Sequence, residues 1–229
     1  MEVWSQQVQK RMTHDDAFAA PLAYITSQFV DLYASVNSGS IVDPIIIIHQ
    51  ATALEAKLDA WEQLLPPCWY FTEKFSDNDF HAFQIKSHQY NNFWIARMLS
   101  NYRWIRILIN NLILFHLPSS SSQRISSLAT IARLSTDICH SVSYFLENCI
   151  IEKGQVVPFP VLAGCLVIIF PLAVAGCAVG VGDEMHDWVI TKLEMISIRM
   201  GILSAAYLIA KVRKLREEWA VYGEVAKGG

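Results

Sequence analysis

Hydrophobic residues recur at steps of three and four along most of the chain, which predicts helices almost throughout. PLAYITSQFVDLYASV opens with Pro21, a residue suited to a first helical turn, and stops at NSGS. Asp43 and Pro44 form a cap and first-position pair for a helix that carries isoleucine at 45–48 and ends at Leu65, before Pro66 and Pro67. CWYFTEKFSDND, from Cys68 to Asp79, is aromatic and irregular. It reads as a loop or short turns packed by Trp69, Tyr70 and Phe71.

The longest stripe follows, in a helix from about His88 to Leu117. Ile95, Met98, Tyr102, Ile105, Ile109, Leu112 and His116 share its face. Pro118 and four serines end it, and the serines offer caps to a helix over about 122–150. There Ile125, Leu128, Ala132, Ser135, Ile138, Val142, Phe145 and Cys149 repeat the step. After the break GQVVPFP another helix starts near Val161. The last runs from about Asp183 to Trp219, with Trp188, Thr191, Met195, Ile198, Ile202, Ala205, Ile209 and Val212 on its stripe. No strand pattern of any length and no tandem repeat is visible. The expected fold is all-α, a single-domain helical bundle with a buried central apolar helix. Its parts are an N-terminal segment (1–20), the helical domain (21–220) and a flexible tail (221–229).

The stretch LAGCLVIIFPLAVAGCAVG, at 162–180, lies in a region without charge from Gly154 to Gly182. A helix over 161–179 is about 28 Å long, near the thickness of a bilayer core. Pro171 in its middle, the lack of an aromatic belt and the lack of a flanking basic bias, with Lys153 alone on one side and acids on the other, argue against a span. A helix apolar on every side also suits the centre of a bundle, where its apolar neighbours need something to pack around.

Composition supports burial. Of 229 residues, 53% are hydrophobic and only 17% charged. The net charge of −3 provides no general attraction for nucleic acid. The five cysteines, at 68, 139, 149, 165 and 177, contain no C-x2-C pair, so no zinc-site spacing is present. Their odd number and apolar neighbours suggest reduced thiols inside the cell, and MEVWSQQVQKRMTHDD lacks the apolar core of a secretory signal.

Five segments occur in a suggestive order: LDAWEQLLPPCWYF (58–71), NYRWIRILINNLIL (101–114), STDICHSVSYFL (135–146), LAGCLVIIFPLAVAGCA (162–178) and HDWVITKLEMISIRMGILSAA (186–206). Together they resemble the C-terminal regulatory part of fungal zinc-cluster transcription factors, over about 45–219. The resemblance implies that the FPLAVAG run is a buried helix of an all-helical domain. It also implies a regulatory role in nucleus or cytoplasm, without a membrane. The six-cysteine cluster and basic stretch that such factors use to read DNA have no counterpart here, so direct DNA binding is not carried over.

Several constellations offer chemistry. Asp137 and His140 stand at i,i+3 in TDICH and could form a carboxylate-oriented general base. His116 and His88 are further acid/base candidates. His49, Glu55 and Asp59 in HQATALEAKLD offer metal-ligand types but fit a solvated helix face better, since His49 and Glu55 do not share a face. DEMHDW reads as a capping and dipole arrangement at a helix start. Arg97, Arg103 and Arg106 lie among Trp94, Tyr102 and Trp104, a pattern that fits arginines stacked on aromatics or paired with buried acids. KVRKLR reads as a solvated helix end. No phosphate loop, nucleophile elbow or H-E-x-x-H is present, and no metal or cofactor is expected.

Two functions follow as expectations. The first is a stand-alone regulatory domain that binds a hydrophobic small molecule, a protein partner or a second copy, with Trp94, Tyr102, Trp104, Arg106, Phe170 and Trp188 as pocket candidates. The second is an enzyme recruited from this scaffold into secondary-metabolite biosynthesis, a cofactor-free cyclase or isomerase. It would use Asp137, His140, His116 or His88 on an apolar intermediate.

Overall fold

A computed structural model describes residues 16–146 and 159–224. Their order is α1 (Asp16–Asn37), α2 (Pro44–Gln63), a 3-10 turn (Pro67–Trp69), β1 (Thr72–Phe75), β2 (Lys86–Gln89), α3 (Phe93–His116), α4 (Gln123–Leu146), α5 (Phe159–Cys177), α6 (Asp183–Met200) and α7 (Leu203–Glu224). The fold is an all-α bundle with one small antiparallel hairpin. Most of the expected N-terminal segment, Cys149 and the last residues of the tail lie outside the described residues.

The caps work much as the sequence suggests. Asp43 Oδ1 accepts from the Ile45 amide at 2.9 Å, and Pro44 opens α2. Asn92 Oδ1 likewise accepts from the Ile95 amide at 2.9 Å. That cap starts α3 at Phe93 and leaves His88 in a strand, five residues upstream of the helix expected to contain it. Pro21 sits inside α1 and not in its first turn. The DEMHDW start is capped by Gly182 without a side-chain bond, although Asp183 and Glu184 do occupy the first turn.

The α3 stripe is correct as far as Leu112: Ile95, Met98, Tyr102, Ile105, Ile109 and Leu112 are all buried, while His116 at its end is half-buried. Burial extends well beyond it, to Ile107, Ile113, Leu114 and the polar residues Arg103, Arg106, Asn110 and Asn111. Helices α2, α4 and α5 surround α3. The α4 stripe is correct only from Ser135 onward. Ile125 is 75% exposed, and Arg124 takes the inward place beside it. Arg124 is needed there: its guanidinium donates to the Leu114 carbonyl at 3.1 Å and to the Tyr222 carbonyl at 2.6 Å, serving the unpaired C-terminal end of α3 and tying on α7.

One long terminal helix was expected; the structure has two. Gly201 adopts φ 69°, a left-handed helix stop, between α6 and α7. The stop changes the helical phase, so one stripe cannot serve both helices: Ile202, Ala205 and Val212 beyond the break are buried as expected, whereas before it Ile198 is 81% exposed and the buried face of α6 is Val189, Leu193, Ile196 and Met200.

Helix α5 settles the apolar run. Cys165, Ile168, Leu172 and Ala175 are fully buried, and α5 packs on α3, α4, α6 and α7. Among the described residues no helix is long and apolar enough to cross a membrane. The close approach of α5 depends on glycine. A Cβ on Gly164 would collide with the Phe145 backbone carbonyl of α4, and one on Gly176 would lie 2.6 Å from Val189 Cγ1 of α6.

Gly164→Ala is expected to cost about 2–3 kcal/mol, because a backbone carbonyl cannot swing aside as a side chain can. Gly182→Ala has free space around it and should cost under about 1 kcal/mol, the difference in cap preference. Urea unfolding midpoints of the two variants check the contrast.

Candidate functional site

The hairpin builds a polar site against α4. β1 and β2 pair antiparallel, with Glu73 opposite His88. Gln84 and Ile85 enter β2 through positive φ, 49° and 59°, a tight turn that aims Lys86–Gln89 back toward the bundle. Alternation along the extended chain places His88 and Tyr90 on one face. On α4, Asp137, His140, Ser141 and Tyr144 follow helical spacing and share the face that meets β2. Arg103 of α3 reaches the same place.

Ligand-type atoms of His88, Asp137 and His140 all lie within 4.8 Å of one another. His88 Nε2 is 4.0 Å from Asp137 Oδ1, and Arg103 Nε is 4.0 Å from Asp137 Oδ2. Both separations are too long for hydrogen bonds. Arg133 approaches the same carboxylate at 3.9 Å. The Tyr90 hydroxyl accepts from Arg103 at 2.7 Å and lies 3.2 Å from His88 Nδ1. The imidazoles meet edge to face, with centroids 5.2 Å apart.

Aromatic rings close the site. Phe71 stacks on His88 at 3.6 Å, Phe83 lies 5.9 Å from His140, and Tyr144 stands edge-on to Tyr90 at 5.1 Å. His88 is 1% exposed and His140 5%; the Asp137 side chain keeps 18%. His140 Nε2 and the hydroxyls of Ser87 and Ser143 are buried without hydrogen-bond partners. A buried polar atom without a partner is costly, so His140 Nε2, within the cluster itself, marks a place that a further group could satisfy.

Burial drives the protonation states. It holds His88 down to about 2, assisted by the charges of Arg103 and Lys86. Burial and Lys86 hold His140 down to about 4. Burial pushes the Asp137 carboxyl above its ordinary range, against the opposing pull of Arg103 and Arg133. At neutral pH the site therefore offers two uncharged imidazoles beside the Asp137 carboxyl group, a donor set suited to proton transfer or to a borderline metal ion.

Three of the four acid/base candidates thus converge: His88, Asp137 and His140. His116 does not; it ends α3, about 20 Å along the helix from Arg103. The Asp137–His140 pair expected from TDICH is not joined by a hydrogen bond, and the imidazole nitrogen found 4.0 Å from Asp137 Oδ1 is that of His88. Sequence reasoning missed the part played by Tyr90; Arg103 does what was expected of it, lying over the Phe71 and Tyr90 rings and beside the half-buried Asp137. The alternation Lys86–Tyr90 could have shown His88 and Tyr90 on one face, had the segment been read as a strand.

None of the six pocket candidates belongs to the cluster, although Trp188 touches Phe83, one of the rings that close it. Tyr102 stacks on Trp61 at 5.1 Å and accepts a hydrogen bond from Arg106. Trp104 meets Phe170 edge-on at 4.9 Å. Trp188 lies against Phe83 at 5.0 Å and under the Lys192 ammonium at 5.2 Å. Trp94 carries the Arg97 guanidinium 5.7 Å above its ring. Arg106 is enclosed by Glu55, Asp59 and Glu62 at 2.7–2.8 Å, which corrects the solvated-face reading of Glu55 and Asp59. KVRKLR is also less free than expected: Arg216 donates to the Val181 carbonyl at 3.1 Å and to Asp183 at 2.5 Å.

Two cavities lie elsewhere. One, of about 410 Å³, runs between α1 and α2 and is lined by Leu32, Ile41, His49, Ala53, Leu54 and Lys57, among others. The second, of about 380 Å³, adjoins Cys177–Asp183 and Arg216. Comparison with protein-family models, curated proteins and solved structures finds no match to this chain.

Acid is expected to weaken the fold through the two imidazoles. Their native pKa values are depressed, so below about pH 6.5 the unfolded chain binds protons that the native chain refuses. Stability is full above that pH and falls as pH drops, by about 1.4 kcal/mol per unit for each histidine until its native form protonates. Asp137 acts oppositely: its raised native pKa adds stability as pH falls through that raised value. Urea midpoints at pH 7 and pH 5 should therefore differ less in His88→Gln and His140→Gln than in the native protein.

Proposed function

We propose that this chain is a regulatory domain without catalytic activity, of the kind its sequence resembles in fungal zinc-cluster transcription factors. It takes up a small amphipathic molecule between α1 and α2, acts in nucleus or cytoplasm, and works without DNA contacts of its own. The observation that carries this reading is the closure of the acid/base cluster. A general acid or base must touch its substrate or reach it through one water. His88 and His140 sit behind Phe71 and Phe83 with almost no exposed surface, so an organic substrate meets neither.

The groove has the opposite character. Leu32 and Leu54 form an apolar floor, while Gln28, Asp31, His49 and Lys57 supply polar groups around it. Lys57 donates to Gln28 at 2.8 Å, which fixes the position of one charge at the groove. Such a lining suits a ligand with an apolar body and one polar end.

The second reading is an enzyme that opens to admit an apolar intermediate. The convergence of His88, Asp137 and His140 favours it. Ala53 is exposed in the groove, so Ala53→Trp fills the space without disturbing the core. Calorimetry against lipophilic metabolites should show a ligand whose affinity falls at least tenfold in Ala53→Trp, with melting temperature unchanged. Fused to an unrelated DNA-binding domain, the chain should make reporter transcription respond to that ligand. Turnover of a metabolite that disappears in His140→Gln would instead establish the enzyme.

A further inference from the structure

We propose that His88, Asp137 and His140 bind one divalent transition-metal ion, with zinc the best match, through His88 Nε2, His140 Nε2 and a carboxylate oxygen of Asp137. The inference is independent of the regulatory reading.

It begins with the proton on His88. The Tyr90 hydroxyl has one proton and two lone pairs. Arg103 donates to it at 2.7 Å. Where its other lone pair accepts from His88 Nδ1, 3.2 Å away, the neutral imidazole carries its proton on Nδ1 and a lone pair on Nε2.

That lone pair faces Asp137 Oδ1 at 4.0 Å. His140 Nε2 is buried nearby without a partner. Three electron-pair donors therefore converge within 4.8 Å. Two neutral imidazoles and one carboxylate form the ligand set of open zinc sites. Tyr90 serves as the outer partner that a ligating histidine requires for its other nitrogen. Ligand atoms around tetrahedral zinc lie about 3.4 Å apart, so the three close by roughly 1 Å as the ion enters, a movement within reach of side-chain rotation. The partly exposed edge of Asp137 gives the ion its path and its fourth, solvent position. Arg103 and Arg133 beside Asp137 oppose the added charge and weaken the site without removing it.

The full chain is stripped with chelator, then titrated with Zn²⁺ by calorimetry and with Co²⁺ by visible absorption. One equivalent of each should bind, Zn²⁺ should raise the melting temperature, and Co²⁺ should give a tetrahedral nitrogen–oxygen spectrum. His140→Gln and Asp137→Asn should each reduce affinity at least tenfold, while His116→Gln and Cys68→Ser leave it unchanged. No saturable binding, or binding that ignores the first two variants or is lost in Cys68→Ser, overturns the site. If the cluster variants do not fold, the native Co²⁺ spectrum decides: thiolate charge transfer or an octahedral spectrum refutes the assignment.

Discussion

Charged side chains that α3 carries into the interior impose the main constraint on this bundle. A guanidinium cannot be buried unless neighbours supply acceptors, since an unpaired buried charge costs more than a helix interface returns. Arg106 obtains Glu55, Asp59 and Glu62 from α2, and Asn110 joins by donating to Glu55 at 2.8 Å. Arg103 obtains Tyr90 and the neighbourhood of Asp137. Arg124, just beyond, takes carbonyls from α3 and α7. Each arginine fixes the register of one neighbour on α3, which sliding apolar surfaces alone would leave loose.

Close backbone packing around α5 adds to this. An apolar helix can turn about its axis at little cost if its neighbours stand off at side-chain distance. Here Gly164 and Gly176 admit a backbone carbonyl of α4 and a valine of α6 where any Cβ would clash. His186 strengthens the α5–α6 corner, its Nδ1 lying 2.8 Å from the Gly176 carbonyl. The combination gives α5 one rotation, with Leu166 and Phe170 outward.

The polar cluster is a product of both constraints. Arg103 holds Tyr90, Tyr90 holds His88, and α4 is fixed where Asp137 and His140 face them. The same closeness that gathers the three side chains seals them behind aromatic rings. The ion proposed for the cluster and the ligand proposed for the groove between α1 and α2 would therefore occupy separate places on one scaffold.

Helix content, the buried stripe of α3, the Asp43–Pro44 start and the buried state of the 162–178 run were legible from the order of residues. Each depends on periodicity or on a cap a few residues long, which local sequence specifies. The second helix stop at Gly201 was not, because a lone glycine in an apolar pattern is compatible with helix until its neighbours require a left-handed residue. The hairpin escaped for a similar reason: four-residue strands such as Thr72–Phe75 carry too few alternations to register, and their pairing depends on what covers them. Asp137 and His140 are visible as neighbours in TDICH, but His88 stands 49 positions away from Asp137 in the chain and joins them only through β2. Residue types thus determined which atoms were available for chemistry. Only the packing of β2 on α4, with Arg103 behind it, decided which of them would meet, since contact between distant segments follows from burial and charge pairing across the whole bundle.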